Sequence, residues 1–410
     1  MTTPKLIKIL VFILLTVFYG SFLLHKIELP AGDDMARHIK NGELIFNGNL
    51  EVIYSNLYSY TEPERTFINH NWLANVVFYL LHQAVGWGGL VVFKIVILIS
   101  AFAVIFKTAL KKANFWLVAF FSIPTIFILA ERTTLRPEIF SYIFSVVFLY
   151  FLTGLEENFN RKKIFWLIPL QILWVNMHLF FIIGPALVGA FLIQEAIKSR
   201  TNIWHNQIFQ RLSILFFVLI AVSFINPNGT AGALYPLKIF SNYGMAVSEN
   251  YPLSYVLRNL SPSSNYPALI FGLAVPILIF SFLLNFKKWP IFYFLGSVAT
   301  AAGGFAMVRL MSFFGLFFLP TVSANFNGIF LLLASLIKKS PVFGKSWVRI
   351  LAATAIVIIA FLIFFKISSK LYDRYQLGIG LTGQSNGSAQ FFKENNLKGP
   401  VFNDYDIGSY

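Results

Sequence analysis

Residues 7–38 read IKILVFILLTVFYGSFLLHKIELPAGDDMARH, and this order of residues sets the reading of the rest of the chain. The apolar run at 7–24, with Lys5 and Lys8 at its start, is long enough to cross about 30 Å of hydrocarbon. It passes directly into a polar segment that carries Asp33, Asp34, Arg37 and His38. No small-residue cleavage site follows it, so it reads as a retained signal anchor. Ionisable residues set so soon after a membrane helix belong at the mouth of the membrane rather than in a remote soluble domain.

Apolar runs of similar length recur from here to Lys366, near residues 88–106, 115–130, 139–155, 164–177, 179–197, 212–225, 267–285, 289–307, 311–336 and 349–366. The expected architecture is therefore an all-α polytopic membrane protein with about eleven transmembrane helices. Of the 410 residues 57% are hydrophobic, 18% aromatic and 12% charged, which excludes a soluble fold. The formal charge of +15 does not point to nucleic acid, because Lys and Arg punctuate the ends of apolar runs instead of clustering on a polar domain. There is no cysteine, so disulfides, thiol nucleophiles and Cys-based metal sites are excluded.

The basic loops give the orientation. Lys107, Lys111 and Lys112, then Arg161 to Lys163, Lys198, Arg200 and Arg211, Lys287 and Lys288, and Lys338 to Arg349 all fall on the side of the N-terminus. By the positive-inside rule that side is cytoplasmic. Asp33, Asp34, Glu131, Glu138 and Glu249 fall on the other. The first outer loop, residues 25–87, contains an amphipathic stretch at 72–83 that suits an interfacial helix, with Trp72 and Trp87 at the aromatic belt. A second outer loop, from Asn226 to about Pro267, is long enough to cap a cavity. After residue 366 the apolar signal stops. A short helix at 389–395 and a strand-like 400–402 read as the start of an outer-face soluble domain, 367–410, that ends before it could bury a core.

Several polar constellations fall on this outer face. In a helical segment Asp34 and His38 share a face at i,i+4, with Asp33 over Arg37. A carboxylate beside an imidazole suits a general base or a metal ligand, and Asp at this place also suits a helix N-cap. His70 and Asn71 precede Trp72 at the start of the interfacial helix, as site residues or as caps. Arg136 and Glu138, close to Arg132, bring guanidinium groups suited to phosphate oxygens, and equally to snorkelling. Asn176 and His178 interrupt an apolar segment, where polar side chains face a cavity or the protein interior. Arg309 stands at the outer end of its helix with the same two readings as Arg136. Asn226-Pro227-Asn228-Gly229 is a turn signal. A topology derived from cytoplasmic basic residues alone puts all of these on one face, which is the pattern of a shared outer cavity. No GxGxxG, P-loop, HExxH or GxSxG context is present.

The sequence resembles the GT-C superfamily of integral-membrane glycosyltransferases, in particular a bacterial group. The residues that carry the resemblance are Asp34 to His38 with Gly42, His70-Asn71-Trp72-Leu73, Gly86-Trp87-Gly88-Gly89-Leu90, Leu135-Arg136-Pro137 with Phe140-Ser141, Trp174-Val175-Asn176-Met177-His178, Asn226-Pro227 with Gly229, Arg309, and Asn403 to Asp406 with Gly408. It implies a GT-C bundle over residues 1–366 with interfacial helices in the first outer loop. It also implies a polyprenyl-phosphate-sugar donor, and a site facing the periplasm or exterior of a bacterial inner membrane. The catalytic carboxylate it implies is Asp34, with Asp33 second. His38, His70, Arg136, Glu138, Asn176, His178 and Arg309 are the implied substrate-binding residues. Where related sequences tend to carry Glu after the histidine of the loop motif, this chain has Asn71, which weakens the case there for a second carboxylate or a metal. A divalent cation is left open by the acidic pair, and no other cofactor is required. The expected partners are the lipid-linked donor and a glycan, lipid or protein acceptor. Two other functions fit the same sequence, a transporter of a lipid-linked sugar or small solute, and a non-catalytic assembly partner in envelope glycan synthesis.

Overall fold

The computed structural model describes residues 3–29, 34–64, 66–155, 161–238, 248–259, 265–285, 290–339, 376–383 and 386–402. Among them the protein is all-α, with fourteen α-helices, short 3-10 segments and two isolated β-bridges. In chain order the helices are α1 (Thr3–Leu23), α2 (Met35–Phe46), α3 (Trp72–Leu110), α4 (Phe115–Leu129), α5 (Glu138–Gly154), α6 (Leu167–Met177), α7 (Ile183–Ser199) and α8 (Gln207–Val222). There follow α9 (Gly229–Lys238), α10 (Leu253–Asn259), α11 (Tyr266–Leu284), α12 (Ile291–Ala306), α13 (Met311–Lys339) and α14 (Gly387–Glu394).

The protein is a multi-pass membrane protein. Five helices are long and apolar enough to cross a bilayer, namely Lys5–Leu23, Trp72–Leu110, Leu179–Ser199, Tyr266–Leu284 and Val308–Leu333. Five shorter apolar helices accompany them. Ten of the expected apolar runs fall on these helices, and the run at 349–366 lies outside the described residues. The exposed faces are apolar, as lipid contact demands, with Phe120, Phe217 and Leu273 pointing outward from α4, α8 and α11. The interfacial stretch at 72–83 is helical, as expected, and it meets the following span at a kink at Gly86, where φ is 64° and ψ −169°, so α3 consists of two helical segments. That left-handed φ is open to glycine at little cost.

The chain divides into two compact units. The first holds α1, the C-terminal end of α3 from Phe102, α4 and α10 to α13. Its helices pack through aromatic side chains, such as Phe121 against Phe318 and Phe326, and Phe271 against Phe314. Gly296 of α12 lets α13 approach, since a Cβ there would stand 2.0 Å from the Phe317 ring. Polar groups inside the unit bond across helices. Asn325 of α13 donates to Ser281 Oγ of α11 at 3.0 Å and accepts from Asn285 Nδ2 at 3.2 Å.

The second unit holds residues 24–101, 134–246 and 378–410. In it α5, α6, α7 and α8 pack on one another, and Gln171 of α6 donates to Ser223 Oγ and to the Phe181 carbonyl. Gly184 makes room for this amide, because a Cβ there would lie 2.4 Å from Gln171 Oε1. The tail docks onto the segment that leaves α1. Ile27 N–H donates to the Gly380 carbonyl at 2.8 Å, and Thr382 N–H donates to the Ile27 carbonyl at 3.0 Å. The short tail helix is present as α14, whereas residues 400–402 have no partner strand among the described residues.

Candidate active site

Asp34 stands at the N-cap of α2, as the sequence allows, but its side chain makes no cap hydrogen bond. Its backbone is left-handed, with φ 51° and ψ 13°, a region that costs an L-residue about 1 kcal/mol or more. The carboxylate faces two guanidinium groups instead. Arg37 Nη2 lies 3.7 Å from Asp34 Oδ2, and Arg136 Nη2 lies 3.9 Å from the same oxygen. Both distances exceed those of a direct hydrogen bond, so these are charge contacts rather than a clamp. The Asp34 side chain keeps 33% of its surface exposed, which leaves it accessible to a substrate. Asp33 lies outside the described residues.

His38 is one turn further along α2 and is buried. Its Nδ1 is 2.7 Å from Asn75 Oδ1, on the first turn of α3. Burial, with the Arg37 guanidinium beside it, pushes the imidazole down to about 3, against the opposing pull of Asp34 and of Asn75. The ring is uncharged in any physiological medium. Gly42, another turn along, is what brings α2 this close to α3. A Cβ there would meet the Asn75 carbonyl oxygen at 2.1 Å. Asn41 accepts a hydrogen bond from the Tyr58 hydroxyl, and burial raises that phenol above its ordinary range.

The other expected site residues fall into separate environments. His70 packs its ring against Tyr235, with centroids 5.2 Å apart. Asn176 has its amide engaged, accepting from Trp72 Nε1 at 2.8 Å and donating to the carbonyls of Ile172 and Ile225. It acts as a brace between α3 and α6. His178 Nδ1 is 2.8 Å from Ser141 Oγ, which also accepts from Trp174 Nε1. Phe180 N–H donates to the same Nδ1 at 3.4 Å, so that nitrogen is an acceptor and the Ser141 hydroxyl donates to it. Glu138 opens α5 and is buried, where its carboxylate meets the positive end of the helix. Arg309 belongs to the first unit. There its Nη1 lies 4.0 Å from Glu249 Oε2 and donates to Asn250 Oδ1 at 3.3 Å. Arg132 Nη2 donates to the same Glu249 oxygen at 3.2 Å.

Asn75 was not among the residues singled out from sequence, although an amide in an apolar stretch is the signal that drew attention to Asn176. Among the described residues no group of three or more His, Asp or Glu side chains is placed to hold a metal ion.

No family model and no curated protein matches the chain. Solved structures do. The archaeal oligosaccharyltransferase AglB from Archaeoglobus fulgidus, in complex with an inhibitory peptide and a dolichol-phosphate, superposes with a TM-score of 0.63 at 11% identity. The match covers 96% of this chain and 59% of that one. An Archaeoglobus fulgidus oligosaccharyltransferase tethered to an acceptor peptide with an NVT sequon through a disulfide gives 0.62 at 12% identity, over 95% of this chain and 57% of that one. The chain thus spans less than three fifths of the length of these proteins. At such identity the likeness is one of fold alone, and it agrees with the GT-C-like membrane bundle expected from the sequence.

Proposed function

We propose that the protein is a glycosyltransferase that moves a sugar from a polyprenyl-phosphate-linked donor to an acceptor hydroxyl at the outer face of a bacterial inner membrane. The observation that carries this reading is the state of Asp34. A carboxylate held at positive φ, unused as a cap and flanked by Arg37 and Arg136, is strained in the way functional residues are. The GT-C fold supports the same class of chemistry.

In this reading Asp34 takes the proton of the acceptor hydroxyl while the oxygen attacks the anomeric carbon from the side opposite the phosphate. The bond from that carbon to the phosphate oxygen breaks, its electron pair stays with the phosphate, and the anomeric configuration inverts. In the same reading Arg136 offsets the charge that grows on the leaving phosphate, and its guanidinium fork suits phosphate oxygens. Two further guanidinium groups, Arg132 and Arg309, are held by Glu249 in the first unit as a second basic cluster.

The test is transfer of labelled sugar by the purified full-length protein in proteoliposomes, offered a panel of polyprenyl-phosphate sugars and glycan, lipid and peptide acceptors. The reading predicts a product with inverted anomeric configuration. Movement of the intact lipid-linked sugar between leaflets without transfer would replace it with a transporter.

A further inference from the structure

A chain of three hydrogen bonds leads from a backbone carbonyl to His38. Asn69 Nδ2 donates to the Val52 carbonyl at 3.3 Å, Asn75 Nδ2 donates to Asn69 Oδ1 at 3.1 Å, and Asn75 Oδ1 faces His38 Nδ1 at 2.7 Å. A carbonyl oxygen can only accept, so it fixes the direction of the whole chain. Asn69 must present its NH2 to Val52 and its oxygen to Asn75. Asn75 must then present its NH2 to Asn69 and its oxygen to His38. His38 Nδ1 is left as the donor. Asn69 and Asn75 are both buried, so water does not compete for these groups.

We propose that Asn75, oriented by Asn69, is a positioning residue that locks His38 with its proton on Nδ1, so that Nε2 presents a lone pair to a hydroxyl of the acceptor substrate. Nε2 makes no hydrogen bond among the described residues. The groups around the ring are Asp34 and Arg37 from its own helix, Asn75 and Phe78 from α3, and Arg136 from the segment before α5. Burial keeps the imidazole uncharged, so it does not gain a second donor as the medium turns mildly acidic.

The consequence sorts the two substrates. Ionised phosphate oxygens accept hydrogen bonds, and a lone pair gives them nothing to accept. A hydroxyl does donate. His38 therefore serves a hydroxyl, taken as the acceptor's, and the donor phosphate falls to arginine. A hydroxyl of the donor sugar is the rival partner, which the KM measurements separate. The attacking hydroxyl gives its only proton to Asp34, so the hydroxyl held by His38 is a second one on the same acceptor. That makes the acceptor a sugar or polyol rather than a lone serine hydroxyl or an amide. This part rests on the glycosyltransferase reading, whereas the tautomer lock does not.

The test is ring-¹⁵N histidine NMR of the full-length protein in lipid nanodiscs, with His38→Gln to assign the signal. The lock predicts a His38 ring protonated on Nδ1 alone and unchanged between about pH 8 and pH 5, across the range where ordinary histidines titrate. Asn75→Leu should mix the two tautomers. Asn75→Asp should keep the proton on Nδ1 and bring protonation of the ring into the observed range. A wild-type His38 with its proton on Nε2, or one that titrates like a free histidine, overturns the lock whether or not transfer is ever seen. In the transfer assay, with an alkyl glucoside and its monodeoxy analogues as acceptors, Asn75→Leu should raise acceptor KM about tenfold, the weight of one hydrogen bond. One deoxy analogue should lose that sensitivity. A rise in donor KM instead would overturn the assignment to the acceptor. Absence of transfer by wild type would count against the functional reading and leave NMR to judge the lock.

Discussion

Gly42 of α2 and Asn75 of α3 approach so closely that a Cβ at Gly42 would lie 2.1 Å from the Asn75 carbonyl oxygen and 2.7 Å from Tyr79 Cβ. The contact is against backbone, so it cannot be relieved by a side-chain turn. Gly42→Ala must push the two helices apart, at about 1 to 3 kcal/mol for an overpacked contact. It should also stretch the bond from His38 to Asn75. Thermal unfolding in detergent should show a lower midpoint. A midpoint equal to wild type would mean that α2 is not seated as described.

Asp34→Gly separates strain from chemistry. Glycine adopts φ 51° freely, so the variant should gain about 1 kcal/mol of stability from relief of the left-handed residue. The same variant should lose transfer altogether. Unfolding and activity measured on one preparation check both halves, and a variant that is less stable than wild type would remove the strain argument.

The buried His38 ties stability to pH. Its folded value of about 3 lies below the ordinary 6.5, so the unfolded chain binds the extra proton between those values and the folded chain does not. Stability contributed by this residue is thus complete above about pH 6.5 and declines as pH falls toward about 3, by an amount on the order of a few kcal/mol. His38→Gln should flatten the acid side of the stability curve over that window. An unchanged curve would show that His38 is not the buried, uncharged group described.

Glu249 holds both Arg132 and Arg309 through one carboxylate oxygen, at 3.2 Å and 4.0 Å. Glu249→Gln leaves two guanidinium groups facing each other in a largely buried place, which should cost on the order of 3 kcal/mol. Adding Arg132→Met to that variant should recover part of the loss. Additive loss in the double variant would mean that the three side chains do not act as one cluster.

The spans were legible because lipid demands long apolar runs, and ten of them fall on helices. The helix at 72–83 was legible too, and so was its break from the next span, because Gly86 falls between the amphipathic stretch and the apolar run and takes the left-handed φ at which the helix kinks. Asp34 was legible as a carboxylate beside basic residues. Its positive φ was not, since composition does not report a dihedral angle. Asn176 read as a cavity residue because a polar group in an apolar segment must turn inward, and it did turn inward, onto Trp72 and two carbonyls. The chain of bonds from Val52 to His38 was beyond sequence altogether, because it joins residues from three separate stretches.

The central claim is that the Asp34 carboxylate does the chemistry, and the most direct measurement compares sugar transfer by wild type and Asp34→Asn in the same proteoliposomes. Asparagine keeps the size and the place of the side chain but cannot accept the acceptor's proton. The account predicts that wild type transfers sugar from a polyprenyl-phosphate donor, and that Asp34→Asn, equally folded, falls at least about a hundredfold, the scale of a lost general base. Transfer by Asp34→Asn at the wild-type rate would contradict it.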